Sequence, residues 1–252
     1  MMFRLTEVVK HLLIINGLMF LVSNLIDTDI LALSYFLSEE FQPFQLATYF
    51  FLHADFPHLL FNMISLFFFG VALEQIWGAK KFLFYYLFCA IGAAVVHYSL
   101  YYFEFAQIQA AIDNFALDPS YDHFVGFFHN HFDTASLTAR GAQAYEFIGE
   151  QLKAGNPNGV GQATAMMQEL LSVRVNAPKI VGASGAIFGL LMAYGMLFPE
   201  REIYLMFLPI GIKAKFFIPV MMLMELQMGV SDFQWDNVAH FAHLGGALFG
   251  AL

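Results

Sequence analysis

The chain has 252 residues, 59% of them hydrophobic and only 12% charged, about half the charged share of a soluble domain. A formal charge of −9 argues against nucleic acid as a partner. A single cysteine, Cys89, excludes a disulfide framework or a cysteine-based zinc site. The apolar residues come in long blocks, so the chain reads as an all-α membrane protein that crosses the bilayer several times.

The first block covers residues 9–25 and ends at Asp27 and Asp29. Arg4 and Lys10 flank its start and no small-x-small cleavage site follows it, so it reads as a retained span rather than a signal peptide. Residues 30–57 mix Glu39, Glu40 and Pro43 with many aromatics. They are too polar for a span and too apolar for a free loop, which suits a loop lying partly in the bilayer interface. A second span is expected over residues 58–76 and a third over 82–102.

A long polar stretch follows, residues 104–179, too long for a mere connector. Helical spacing recurs over residues 135–154, with Tyr145, Ile148 and Leu152 on one face, and over 160–173, with Met166, Met167, Leu170 and Leu171. Gly155, Asn156, Pro157, Asn158 and Gly159 break the chain between them. This predicts an antiparallel helix pair with little else to build a core. His123, His129 and His131 match no common metal-site spacing, and no metal is expected.

A fourth span is expected over residues 184–198 and a fifth over 216–228. Between them Pro209 and Gly211 interrupt any helix. A sixth is expected from near Asp236 to the end of the given sequence, and its shortness implies a chain continuing past Leu252. Arg4, Lys10, Lys80, Lys81, Arg201, Lys213 and Lys215 then fall on one side of the membrane, and the remaining Lys and Arg residues lie in the long loop. By the positive-inside rule both termini are cytoplasmic and the loop is outside.

Ser184 stands in Gly182, Ala183, Ser184, Gly185 at the start of the fourth span. The first N–H groups of a helix are unpaired, so a serine there can attack a carbonyl while nearby N–H groups hold the oxyanion. As a helix, residues 184–198 would be roughly 22 Å long, shorter than a hydrocarbon core of about 30 Å, which puts Ser184 below the membrane surface. Gly185 and Gly189 also suit a plain helix-packing contact.

His58 and Asn62 are four apart and share a helix face near the same outer end. They can donate to a developing oxyanion, or simply tie two helices together. In the last span His243, Gly246 and Gly250 carry an imidazole followed by two gaps along one face. The Gly185 and Gly189 face is the natural partner, and close approach would bring His243 to the Ser184 hydroxyl as a general base. Phe188, one turn after Ser184, could pack on that ring. No carboxylate within the membrane is placed to orient His243, so the expectation is a Ser184–His243 dyad.

These motifs resemble the rhomboid family of intramembrane serine proteases, in its bacterial six-span form. The resemblance covers residues 45–78 and 182–250. It rests on His-x-x-x-Asn at His58 and Asn62, Gly-x-Ser-Gly at 182–185, and Ala-His-x-x-Gly-x-x-x-Gly at 242–250. It implies Ser184 as nucleophile, His243 as base, and His58, Asn62 and the Ser184 N–H as the oxyanion hole. It implies supporting roles for Gly182, Gly185, Phe188, Gly246, Gly250 and His53, and a structural role for Glu74. Substrates would be single-span membrane proteins, with no cofactor. Localisation would be a prokaryotic inner membrane. The chain departs from the family where some members carry Trp-Arg and this one has Phe44 and Gln45. It also has an insertion where the family has a compact loop. The expected architecture is a six-transmembrane-helix, rhomboid-like bundle: residues 1–103, a helical extracytoplasmic insertion at 104–180, and 181–252. The competing function is a non-catalytic relative that binds or escorts client helices.

Overall fold

The computed structural model describes residues 4–204, 210–231 and 238–252. Among them the chain is a mostly helical membrane bundle with two short antiparallel strand pairs. It divides into two compact units, the first of Met1–Phe36, Glu40–Ser99 and Lys179–Leu252, the second of Leu37–Glu39 and Leu100–Pro178.

The first unit opens with α1, Glu7–Ser23. Helix α2, Phe56–Trp77, follows after an irregular segment, and α3, Ala79–Leu117, begins almost at once after Gly78 turns the chain with a φ of +75°. Helix α2 carries one π turn, Leu66–Gly70. There Gly70 lets Val9 of α1 approach, since a Cβ would meet the Val9 side chain at 2.9 Å. The Glu74 carboxylate reaches the first turn of α1 and accepts from the Val8 and Val9 N–H groups at 2.9 Å each. These are N–H groups that a helix start cannot pair for itself. Glu74→Gln turns one acceptor into a donor facing an N–H, and should cost about 2–3 kcal/mol. A lowered thermal midpoint in detergent would register the loss, and an unchanged midpoint would remove Glu74 from the framework.

The irregular segment is held by Gln45, which is 1% exposed. Its Oε1 accepts from the Ser34 and Gln42 N–H groups, and its Nε2 donates to the Ile30 and Glu40 carbonyls. A buried amide whose donors and acceptor are all used fixes a loop through many backbone points at once. Within this loop β1, Leu33–Ser34, pairs with β2, Lys179–Ile180, in the register Leu33 to Ile180 and Ser34 to Lys179. Lys179 adds ion pairs to Asp29 and, at 2.6 Å, to Glu40. The chain is therefore clamped immediately before Gly182.

Downstream in sequence, α4, Tyr121–His131, α5, Ala139–Lys153, and α6, Pro157–Asn176, belong to the second unit. The two helices expected from periodicity are α5 and α6, with Gly155 between them at a φ of +67°. Two expectations are corrected. Helix α3 continues to Leu117 instead of stopping near residue 102. Its polar extension carries Phe105, Ile108, Ile112 and Phe115 at helical spacing, all buried. The unit also has a core of its own: Phe124 and Phe128 of α4 are fully buried, and Tyr145 stacks on Phe124 at 5.3 Å.

Helix α7, Ser184–Leu197, begins at the predicted residue, Ser184. It is buried almost all round, which identifies it as the central helix of the first unit. Strands β3, Glu202–Tyr204, and β4, Gly211–Lys213, form the hairpin before α8, Ala214–Ser231. Pro209 lies outside the described residues. Helix α9, His240–Ala251, closes the unit. Asp236 also lies outside the described residues, but Val238 and Ala239 are non-helical. His243 therefore sits in the first turn of its helix rather than roughly 10 Å along it, as a start near Asp236 would have placed it. Helices α2, α3 and α8 are long and apolar enough to cross a membrane, and α7 is a shorter apolar helix. Exposed Ile14 and Leu18 give α1 an apolar outer surface, as Phe84 and Ile91 do for α3 and Phe216, Val220 and Leu223 for α8, suited to lipid.

Candidate active site

Glycine packing brings α7 and α9 together. A Cβ on Gly246 would lie 1.8 Å from the Gly185 carbonyl oxygen, and one on Gly250 would lie 2.7 Å from Gly189 Cα. On its other flank α7 meets α3, where a Cβ on Gly185 would reach Ala93 at 2.4 Å and one on Gly189 would reach Cys89 Sγ at the same distance. The Tyr85 hydroxyl of α3 spans the pair, 2.9 Å from the Gly189 carbonyl oxygen and 2.6 Å from that of Gly250. Backbones this close fix the side chains at their ends.

The consequence is a contact of 2.8 Å between Ser184 Oγ and His243 Nε2. Phe188 stacks on the His243 ring with centroids 4.3 Å apart and planes 7° from parallel. The N-cap of α7 is Ala183, and among the described residues no side chain caps the helix. Its first N–H groups therefore have no side-chain acceptor and remain available to an incoming oxygen. Gly182 makes the turn into the helix at a φ of +115°, a conformation that other residues rarely adopt. A Cβ there would also strike the His58 ring at 2.7 Å, and Ser184 Oγ is 3.7 Å from the same point. The Gly182 N–H donates to the Tyr49 carbonyl at 3.0 Å, completing the clamp begun by β1 and β2.

His58 lies in the first turn of α2, where Asp55 caps the helix by accepting from the His58 N–H at 2.7 Å. One turn further in, Asn62 is 6% exposed, and its Nδ2 has no hydrogen-bond partner among the described residues. A buried donor left unpaired is expensive unless something else comes to use it. His53 precedes the helix with its ring 5.0 Å from that of His58. Burial, with His58 next to it, pushes the His53 imidazole down to about 4, so it is neutral at pH 7.

A family model described as the rhomboid domain matches residues 40–105 and 123–252. The chain belongs to the rhomboid family. No curated protein matches it closely enough to count as a relative. Rhomboid domains are typically those of intramembrane serine proteases, though non-catalytic members exist, and this rhomboid is an integral membrane protein.

One further residue, carried by none of the motifs above, lies in the site of this rhomboid. Glu225 of α8 lies 2.9 Å by its Oε2 from His243 Nδ1, and 2.7 Å from His240 Nδ1. The expectation that no membrane carboxylate reaches His243 is therefore corrected. The signal was in the sequence, because Glu225 is the sole charged side chain between Lys215 and Asp232, and an ionisable residue inside a span marks a functional position by default. What the sequence could not give was the direction in which α8 turns it.

Proposed function

We propose that this rhomboid is an intramembrane serine endopeptidase, cutting the membrane segments of single-span proteins from the outer side of a prokaryotic inner membrane. Its six spans would place both termini in the cytoplasm and residues 104–180 outside. The observation that carries the reading is the 2.8 Å contact between Ser184 Oγ and His243 Nε2 at the uncapped start of α7.

In this mechanism Ser184 Oγ passes its proton to His243 Nε2 and bonds to the substrate carbonyl carbon. His58, Asn62 and the Ser184 N–H hold the oxyanion. Collapse breaks the C–N bond, and the imidazolium returns the proton to the leaving amine. Water then gives a proton to His243 and hydrolyses the acyl ester, restoring Ser184. A substrate helix must unwind near its end, because its own hydrogen bonds otherwise shield the peptide bond.

The test is fluorophosphonate labelling and cleavage of a single-span reporter in liposomes, in the wild type and in Ser184→Ala. Labelling that persists in Ser184→Ala would end the assignment. A folded wild type that neither labels nor cleaves would favour a non-catalytic binder of client helices. Asn62→Ala should lower kcat by about 10²-fold, the scale of one lost oxyanion donor, with KM nearly unchanged. Wild-type turnover in that variant would leave Asn62 a packing residue.

A further inference from the structure

The mechanism proposed above assigns nucleophile and base to two residues, Ser184 and His243. Behind them stands a third, on a different helix. We propose that Glu225 is a positioning residue that turns the pair into a Ser184–His243–Glu225 triad, with His240 as a second donor to the same carboxylate. The proposal rests on the serine-protease reading and extends it.

The geometry assigns the protons. An ionised carboxylate only accepts, so the bonds from His243 Nδ1 at 2.9 Å and His240 Nδ1 at 2.7 Å both run from an N–H to Glu225 Oε2. A neutral His243 with its proton on Nδ1 has its lone pair on Nε2, the atom 2.8 Å from Ser184 Oγ. That is the tautomer a general base requires. When Nε2 takes the serine proton, the ring becomes a cation with a carboxylate against its far edge. In an environment poor in water that attraction is worth more than at a surface.

The same arrangement explains how a carboxylate survives inside an apolar helix. Glu225 is flanked in sequence by Met221, Met222, Leu223, Met224, Leu226 and Met228, and its side chain is 15% exposed. A buried carboxylate needs donors to offset lost hydration, and the two imidazole N–H groups supply them. Phe188 covers one face of the His243 ring. The ring is thus held by a stack, by a hydrogen bond to its far nitrogen, and by the serine.

The three side chains also have the composition of a metal site, with ligand atoms all within 4.8 Å of one another. The distances favour hydrogen bonds. Two ligands bound to one zinc ion at about 2.0–2.1 Å in tetrahedral geometry sit about 3.3 Å apart, whereas these nitrogens are 2.7 and 2.9 Å from the carboxylate oxygen. A metal on His243 Nδ1 would also take away the N–H that the triad uses.

The test compares the wild type, Ser184→Ala, Glu225→Gln and Glu225→Asp for kcat and KM on the single-span reporter, for labelling rate and for thermal midpoint. Gln preserves size but can offer its own N–H to Nδ1 and so select the wrong tautomer. Glu225→Gln should lower kcat by about 10⁴-fold, the scale seen when a triad carboxylate is neutralised or removed, with KM within a few-fold. Glu225→Asp keeps the charge and should recover part of that loss. Wild-type kcat in Glu225→Gln, with Ser184→Ala inactive, would overturn the triad and leave the protease reading standing. Activity in Ser184→Ala would overturn both. Equal loss in Gln and Asp, tracking a fallen midpoint, would make Glu225 a helix latch and not a positioning group. Should Glu225→Gln fail to fold, 15N-histidine spectra of the wild type decide. His243 protonated on Nδ1 in a strong hydrogen bond supports the triad, and His243 protonated only on Nε2 overturns it. Activity lost to a chelator and restored by Zn²⁺ would replace the triad with a metal site.

Discussion

Ser184→Ala and His243→Ala should each lower cleavage of a membrane reporter by about 10⁶-fold, the scale for loss of a nucleophile or its base. The folded fraction in detergent should stay the same. The expectation is sharp because two histidines stand three residues apart on α9 and share one carboxylate. Only His243 has its second nitrogen on Ser184 Oγ, at 2.8 Å. His240 meets Glu225 but stands behind the reacting pair, its ring centroid 6.2 Å from that of His243. His240→Ala removes one of two donors to the carboxylate and should cost no more than about tenfold, less than loss of any group that touches the reacting atoms. Side-by-side rates for the two alanine variants check this. An inactive His240→Ala beside an active His243→Ala would show that the base has been misassigned.

Gly246→Ala is the second large effect, and it acts through the backbone. The new Cβ would sit 1.8 Å from the Gly185 carbonyl oxygen, where a comfortable contact is about 3.5 Å. Backbone cannot swing aside as a side chain can, so α7 and α9 must part by about 1–2 Å. Ser184 is on one of these helices and His243 on the other. A misplacement of about 1 Å costs on the order of 10²-fold in rate, and the strained packing about 1–3 kcal/mol in stability. Gly17→Ala is the control: it lies in α1, and nothing stands within 4 Å of its added Cβ. Reporter cleavage and thermal midpoints of both variants give the comparison. Wild-type cleavage by Gly246→Ala would mean that the α7–α9 contact does not set the distance between serine and histidine.

Much of this was written locally in the chain. Continuous apolar blocks located the helices, since a membrane span must be apolar along its length and satisfy its own backbone. The break at Gly182 and the run that follows marked Ser184 as the first residue of α7. Four-residue spacing put His58 and Asn62 on one face, and the glycines at 185, 189, 246 and 250 matched two helices that could touch. Each of these depends on residues within a turn or two of one another. The pairing of Leu33 with Ile180, by contrast, joins segments far apart in sequence through two residues that carry no strand signal of their own. The continuation of α3 to Leu117 was hidden because hydropathy falls after residue 102 while the apolar stripe at Phe105, Ile108, Ile112 and Phe115 persists. Glu225 is the clearest case. Its presence within an apolar helix was plain from the sequence, but its partners were decided by how α8 rotates against α9. That rotation is set by packing between helices, and no periodicity within either helix encodes it.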